Sequence, residues 1–144
     1  MKKIYSKKDP SKLLHIINRF NEINERTNIV SDEQFIQLAT MRLNAGKTFP
    51  PHKHIWKDEM NLKVIAQESW VVIQGSVCVH FYDIDETYLG DEIIEQGDCS
   101  ITLEGGHTYT ILKDDTVVYE YKTGPYYGQK LDKILINDHR LKKK

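Results

Sequence analysis

Hydrophobic and polar positions follow two different periods along the chain, and the first of them is helical. Asp9, Pro10 and Ser11 form a good helix start, because Asp can cap a helix and Pro is tolerated in the first turn. After them, apolar residues recur at helical spacing: Leu13, Ile16, Ile17, Phe20 and Ile23. This pattern predicts an amphipathic helix over residues 10–25, packed on the rest of the protein.

From residue 34 the period changes to that of β-strands. Short runs rich in β-branched and aromatic residues are separated by turn signals such as Gln74-Gly75-Ser76 and Gln96-Gly97-Asp98. The runs are FIQLATMRL, ESWVVIQG, SVCVHFYD, YLGDEIIE, CSITL, HTYTIL, TVVYEYK and LDKILIND. About eight short strands with little helix between them predict an all-β protein, an antiparallel sandwich or jelly roll.

Length and charge narrow the possible partners. The 144 residues suit a single domain, and 20 Lys and Arg against 21 Asp and Glu leave a net charge of −1. This balance gives no overall attraction to nucleic acid or to an anionic membrane, so we expect neither as a partner. The N-terminal MKKIYSKKDPSK has no apolar core of a signal peptide, and no segment has the length of a membrane span. We therefore predict a cytoplasmic protein.

The stretch GKTFPPHKH contains the first candidate for chemistry. His52 and His54 are two residues apart, which in an extended chain puts both side chains on one face. Pro50 and Pro51 favour an extended backbone where such a strand would begin. Two imidazoles placed in this way can bind one ion, although His-x-His in a Lys-rich loop can also be a pair of solvated residues.

The spacing around these histidines resembles the first cupin motif. That motif runs Gly, five residues, His-x-His, a spacer, Glu, six residues and Gly, and here Gly46, His52, His54, Glu68 and Gly75 stand at those positions. The spacer IWKDEMNLKVIAQ has thirteen residues and is longer than in most cupins. An enlarged hairpin loop explains the excess, because closure entropy grows only slowly with loop length.

A later segment resembles the second cupin motif, which runs Gly, five residues, Pro-x-Gly, two residues and His. Gly97 is followed by DCSIT and then LEGGH, so Leu103 replaces the proline and His107 arrives one residue early. A slip of one residue in a regular strand would turn the side chain to the other face. Gly105 and Gly106 can absorb the slip, since glycine permits the backbone angles of a bulge or tight turn. The direction of His107 stays open at this point.

The resemblance to the cupin superfamily covers residues 46–128. It implies a double-stranded β-helix (jelly roll) that holds a divalent transition metal inside, with Fe, Mn, Zn, Ni or Co as the candidates. The ligands that it implies are His52, His54, Glu68 and His107. Glu59 and Gln67 are alternatives to Glu68 within or beside the insertion. Imidazoles and a carboxylate are suitable ligands for such ions, and an octahedral site with these ligands keeps positions open for substrate or oxygen.

The periodicity of the chain and this resemblance together predict three parts: an N-terminal helical extension at 1–33, a single cupin domain at 34–137 and a basic C-terminal tail at 138–144. The segment TVVYEYKTGPYYG resembles the small WbuC-type metallo-cupins of bacterial surface-polysaccharide gene clusters. This narrower likeness favours a carbohydrate-derived substrate or ligand and a role in polysaccharide biosynthesis.

Three other polar residues near the motif-bearing end are candidates for catalysis: Tyr109, Glu120 and Tyr126. Tyr109 shares the face of His107 if their strand is regular. Most tyrosines in β proteins only pack, with the hydroxyl at the surface or on a backbone partner. Trp70, which alternates with Glu68, is predicted to form the floor of the pocket.

Further potential ligands lie outside the motifs. His80 alternates with the apolar residues of its strand, so we predict a surface or wall residue on the other face. Cys78 and Cys99 stand singly in strand-like runs, which is typical of small buried residues in a reducing compartment.

Three functions fit these observations. The first is a metal-dependent isomerase or epimerase of a sugar or nucleotide-sugar, the second an Fe(II)-dependent dioxygenase of a small molecule, and the third a non-catalytic small-molecule-binding protein. Exposed edge strands of a small barrel often need covering. We therefore expect a homodimer, with the N-terminal helix or the strand at 34–44 in the interface, and the insertion at 55–67 is a candidate lid.

Overall fold

The computed structural model describes residues 1–59 and 62–142, and strands make up nearly all of its regular structure. The strands are β1 (Lys2–Tyr5), β2 (Leu13–Ile17), β3 (Thr27–Asn28), β4 (Ile36–Leu43), β5 (His52–His54), β6 (Lys57–Glu59), β7 (Leu62–Val64), β8 (Glu68–Gln74), β9 (Ser76–Tyr82), β10 (Tyr88–Glu95), β11 (Cys99–Thr102), β12 (Gly106–Ile111), β13 (Thr116–Thr123) and β14 (Lys133–Leu135). The helices are α1 (Gln129–Asp132) and two 3-10 helices, Phe20–Glu22 and His139–Lys142. Each predicted strand run overlaps one of these strands, so the all-β prediction is confirmed.

Two antiparallel five-stranded sheets face each other as a sandwich. The first sheet has the order β10-β9-β12-β5-β14 and the second has the order β11-β8-β13-β4-β3. From β8 onward the chain crosses repeatedly between the sheets, as in a jelly roll. The inward side chains of both sheets form one apolar core: Met41, Trp70, Val72, Val77, Val79, Tyr109, Ile111 and Val118.

The core ends where the inward side chains become polar. Trp70 stacks on Tyr109 with ring centroids 3.8 Å apart, and this pair bridges the two sheets. Glu68 precedes Trp70 by two residues on β8, and His107 precedes Tyr109 by two residues on β12. Because side chains alternate along a strand, both polar residues continue the inward series. The alternation therefore places a polar site at one end of the sandwich interior.

The predicted amphipathic helix at 10–25 is wrong. β1 pairs with β2 in an antiparallel hairpin. The Asp9 carboxylate accepts hydrogen bonds from the Ser11 amide at 3.1 Å and the Ser11 hydroxyl at 2.7 Å, so Asp-Pro-Ser forms a turn instead of a helix cap. A helix this short depends on tertiary packing of its apolar face. Here that face is only partly packed, since Ile23 is buried but Leu13, Ile17 and Phe20 are exposed.

The insertion and the tail also have defined structure. β6 and β7 form a hairpin in the insertion, and its residues 60 and 61 lie outside the described residues, as does the part of the lid prediction that concerns them. The described part of the tail lies against the outer face of the first sheet, where Arg140 Nη1 donates to Thr110 Oγ1 at 3.0 Å. Within the described ranges, no helix is long and apolar enough to cross a membrane.

Candidate metal centre

Four side chains with metal-ligating atoms converge at the polar end of the interior. His52 and His54 lie on β5, His107 lies on the neighbouring strand β12 directly opposite His52, and Glu68 faces them from β8 of the second sheet. Each residue offers one ligand atom, and these atoms all lie within 4.8 Å of one another. All four side chains are buried. The residues that the sequence motifs implied as ligands are thus brought together from three strands.

The distances within this cluster suit a single ion. Glu68 Oε1 lies 3.2 Å from His107 Nε2, and Glu68 Oε2 lies 3.3 Å from His54 Nε2. The rings of His52 and His107 have centroids 4.6 Å apart. Adjacent ligand atoms bound to one zinc-like ion at roughly 2.0–2.2 Å lie about 3–3.5 Å from each other.

A glycine turn directs His107 into the interior despite the shortened motif. Gly105 has a φ of +87°, and a Cβ there would lie 2.6 Å from the carbonyl oxygen of Tyr82. Only glycine fits both the left-handed angle and this close approach. β12 therefore begins at Gly106, and His107 has no exposed surface (0%). The slip in the motif is absorbed before the strand starts.

Carboxylate and carbonyl groups behind the histidines set which ring nitrogen faces the site. His54 Nδ1 lies 3.1 Å from Oδ2 of the buried Asp132, which also pairs with Lys57 at 2.7 Å and Lys122 at 3.1 Å. His52 Nδ1 lies 3.2 Å from the carbonyl oxygen of Pro50. In metal sites, partners of this kind behind a ligating histidine orient its ring and favour a proton on Nδ1, with Nε2 directed at the metal.

The local electrostatics favour the metal-binding forms of His52 and Glu68. Burial, together with the charges of His107 and Lys133, lowers the pKa of His52 to about 3, so this imidazole is neutral at physiological pH. Burial alone would raise the pKa of Glu68, but the neighbouring His107 and His54 outweigh it and hold that pKa well below its ordinary value. The site therefore presents a neutral imidazole and an ionised carboxylate.

Asp132 is ionised for a similar reason. Burial would raise the pKa of its carboxyl, but the contacts with His54 and Lys57 and the charge of Lys122 outweigh burial and depress it. For His54, burial lowers the pKa, while the carboxylates of Asp132 and Glu68 more than compensate and raise it. The carboxylates of Asp132 and Glu68 thus contact Nδ1 and Nε2 of the His54 ring, respectively.

A cavity of about 360 Å³ adjoins the cluster. Its wall includes His52 and Glu68 and also the three residues proposed from the sequence as catalytic, Tyr109, Glu120 and Tyr126. The cations that line it are Arg26, Lys122 and Lys133. The cavity therefore joins the candidate metal ligands to a polar, mixed-charge chamber.

The three predicted catalytic residues differ in their surroundings. Glu120 accepts hydrogen bonds from Arg26 at 2.5 and 3.0 Å. The Trp70 indole N–H lies 3.3 Å from Glu120 and 3.2 Å from Glu68 and so connects Glu120 to the ligand cluster. The Tyr109 hydroxyl lies 3.3 Å from Ser100 Oγ.

Tyr126 lies on the cationic side of the cavity. Its ring is 4.1 Å from Nζ of Lys122. Burial raises the pKa of the Tyr126 phenol, with the charge of Asp132 adding to the effect, so the hydroxyl keeps its proton and can donate a hydrogen bond. A catalytic role for Tyr126, as for the other two, is a prediction.

Sequence reasoning missed three residues of this site: Arg26, Asp132 and Lys133. Lys133 Nζ lies 3.2 Å from His52 Nε2, and Lys133 pairs with His54 in the register of β14 against β5. No motif contains these residues, and only the position of Asp132 directly before the last strand could have suggested its role. Of the two alternatives to Glu68, Gln67 is exposed, and Glu59 has a side chain outside the part of the chain that the structure describes.

The residues present fit a divalent first-row metal ion. Three imidazoles and one carboxylate are the donors that such ions take. In addition, Nδ1 of His107 is buried without a hydrogen-bond partner among the described residues. The polar contact of this ring is made by Nε2, which faces Glu68. This donor set is typical of a site that binds a metal ion.

Comparisons with known proteins give a fold but no sequence relative. No family model matches the chain, and no curated protein matches it. KdgF from Halomonas sp. is similar in structure, with a TM-score of 0.52 and 15% identity over 68% of this chain and 77% of its own. An uncharacterised conserved protein with a double-stranded β-helix domain from Klebsiella pneumoniae gives 0.57 and 14% identity over 85% of this chain and 91% of its own.

The capsular polysaccharide assembling protein CapF from Staphylococcus aureus gives a TM-score of 0.58 and 12% identity over 78% of this chain. The match spans only 34% of the CapF chain. Identities this low establish the architecture and nothing finer. Together with the strand order, they show that the chain has a double-stranded β-helix fold.

Proposed function

We propose that this protein is a metal-dependent enzyme that isomerises or epimerises a sugar or nucleotide-sugar. The observation that carries this proposal is the cluster of four buried ligating side chains at the wall of a 360 Å³ cavity. A volume of this size is within the range of small-molecule sites, roughly 300–1,000 Å³. A ligand in the cavity can therefore reach the metal site and the protein side chains together.

The lining of the cavity supports a carbohydrate-derived ligand. Besides the charged groups, it contains amide side chains and the Tyr126 ring, which can bind the hydroxyl groups and the apolar face of a sugar. The name of CapF connects that protein to capsular polysaccharide assembly. The likeness of TVVYEYKTGPYYG to the WbuC-type proteins points in the same direction.

In this proposal His52, His54, Glu68 and His107 hold the ion. When bound, a divalent ion would polarise a carbonyl or enediolate oxygen of the substrate. Glu120, held by Arg26 and Trp70, would accept the proton from the carbon beside that oxygen after giving up one Arg26 hydrogen bond.

The two tyrosines have different proposed roles. Tyr126 would donate a hydrogen bond from the cationic side of the cavity. Tyr109 would position Trp70 by stacking, because its hydroxyl is directed at Ser100.

Elemental analysis of protein purified without chelator is the first test. We expect His52→Ala and His107→Ala each to lose one equivalent of metal relative to the parent. The exposed histidine His15 on β2 provides the matched control, and His15→Ala should keep the full content. A parent that neither contains metal nor binds added Fe(II), Mn(II), Ni(II), Co(II) or Zn(II) at this site would contradict the proposal.

The activity is tested by NMR on a panel of sugar phosphates and nucleotide-sugars. Turnover that requires metal and is lost in Glu120→Gln would support the proposal. Metal-loaded protein that leaves the whole panel unchanged would contradict it. In that case, oxygen consumption with Fe(II) would favour a dioxygenase, and calorimetric binding without turnover would favour a binding protein.

A further inference from the structure

A second cluster of metal-ligating side chains lies on the opposite face of the first sheet. Cys78 and His80 are two residues apart on β9, so their side chains share one face, while Val77 and Val79 point into the core. Asp91 on β10 is the direct cross-strand partner of His80. One ligand atom from each of these three residues lies within 4.8 Å of the others. The register of one strand pair thus brings together a thiol, an imidazole and a carboxylate.

We propose that Cys78, His80 and Asp91 bind a second divalent transition-metal ion, zinc(II) in the first place. Thiolate and imidazole ligands favour zinc over magnesium or calcium, and a carboxylate completes a common zinc donor set. Three protein ligands leave one position of a tetrahedron for water or a further side chain. This site does not depend on the proposed enzymatic function, because it shares no residue with the four-ligand cluster.

The contacts of His80 direct one ring nitrogen at Asp91. His80 Nε2 lies 2.8 Å from Thr110 Oγ1, and this hydroxyl oxygen also accepts a hydrogen bond from Arg140. His80 Nδ1 lies 2.5 Å from Asp91 Oδ1. An imidazole nitrogen and a carboxylate oxygen this close must share a proton or another cation. A metal ion would replace the proton and widen the contact to about 3 Å, since bonds of roughly 2.0–2.1 Å join it to each atom.

The surroundings give the ion a supporting second shell and a path of entry. Thr110 fixes the His80 ring in the way that outer partners orient ligating histidines. The Asp91 side chain is 40% exposed and Cys78 is only half-buried, so an ion can reach both from solvent. His139 from the tail stacks on Tyr88, and its ring centroid lies 5.4 Å from that of His80. His139 is therefore a candidate for the fourth position.

Cobalt(II) titration tests this site separately from the first one. Thiolate bound to Co(II) gives a charge-transfer absorption band in the near ultraviolet, and the four-ligand cluster contains no sulfur. We expect this band in the parent protein and its loss in Cys78→Ser. The other of the two cysteines, Cys99, is exposed on β11 and is the matched control. Cys99→Ser and His52→Ala should both keep the band.

A second variant and a second readout keep the test decisive. Asp91→Asn changes a partly exposed side chain, and we expect it to weaken Co(II) binding, read from the same band, by at least about tenfold. Zn(II) should slow alkylation of Cys78 but not of Cys99, as measured by peptide mass spectrometry. Absence of the band in the parent, its persistence in Cys78→Ser, or an unchanged affinity in Asp91→Asn would each overturn the proposal. Loss of metal in His52→Ala with the band intact would show that the two sites are distinct.

Discussion

Asp132 is the residue that determines how His54 meets the metal site. Its buried carboxylate has three partners, the His54 ring and the ammonium groups of Lys57 and Lys122. A carboxylate on Nδ1 fixes the tautomer, the ring orientation and the basicity of a ligating imidazole. Asp132 lies beside His54 because α1 ends at Asp132, directly before β14, and β14 pairs with β5.

We predict that Asp132→Asn lowers the metal affinity by about 10- to 100-fold without removing a ligand. The amide has the same size but no charge, so it no longer stabilises the metal-binding tautomer of His54. Competition with a chromophoric chelator measures the affinity. Asp115→Asn is the control, because Asp115 is bound by Arg42 and Gln74 at an exposed site. An affinity equal to that of the parent in Asp132→Asn would contradict this role.

At the scale of elements, the turn before β12 decides whether the second motif can function. Gly97 and Gly105 have nearly the same backbone angle, with φ of +94° and +87°. Their surroundings differ, because a Cβ at Gly97 meets nothing within 4 Å, whereas one at Gly105 meets the Tyr82 carbonyl at 2.6 Å. Gly97 is therefore required only for its backbone angle. Gly105 is required for its angle and also because a Cβ does not fit beside the Tyr82 carbonyl.

We therefore predict that Gly105→Ala destabilises the fold more than Gly97→Ala does. Gly97→Ala should cost about 1–2 kcal/mol for its left-handed angle. Gly105→Ala should cost more, because the turn must also move away from Tyr82, and it should lose metal as His107 shifts. Urea unfolding and elemental analysis measure the two effects. Equal stability of the two variants, with full metal content in both, would contradict the argument.

Individual strands also show which parts of this fold could be predicted from the sequence. The strands β8, β9 and β12 were predictable because each places every second residue in the core, as Trp70 and Val72 do on β8, and the core imposes that alternation. The segment LLHII was misassigned because its apolar spacing suits a helix and a strand equally well. Its pairing with KKIY, a nonlocal contact, decides between the two.

The candidate site also contains residues that the sequence could predict and residues that it could not. His52, His54, Glu68 and His107 could be named because strand spacing alone relates them within two motifs. Arg26, Asp132 and Lys133 could not, because they reach the site from distant parts of the chain through tertiary contacts. Cys99 was expected to be buried and is exposed, since it lies on the outer face of β11, whose inward residues are Ser100 and Thr102.

At the scale of the whole molecule, the second sheet has an apolar outer surface. Ile101 on β11 and Tyr121 on β13 are both aligned with Ser69 of the strand between them. Phe35 and Ile36 at the start of β4 extend this exposed patch. Contiguous apolar surface of this kind is typical of protein contacts. Phe35 and Ile36 belong to the segment 34–44 that the sequence analysis proposed as part of a dimer interface.

We predict that the protein is a homodimer that uses this outer face, and that Ile101→Lys converts it to a monomer. A buried lysine would lose its hydration at the interface without an acidic partner to compensate. Leu89 on β10 of the first sheet is the matched control, because both side chains are 62% exposed and only Ile101 belongs to the patch. Light scattering at micromolar concentration should give twice the chain mass for the parent and for Leu89→Lys, and the chain mass for Ile101→Lys. A monomeric parent would exclude the dimer, whereas a dimeric Ile101→Lys would move the interface to another surface, such as the exposed β1-β2 hairpin.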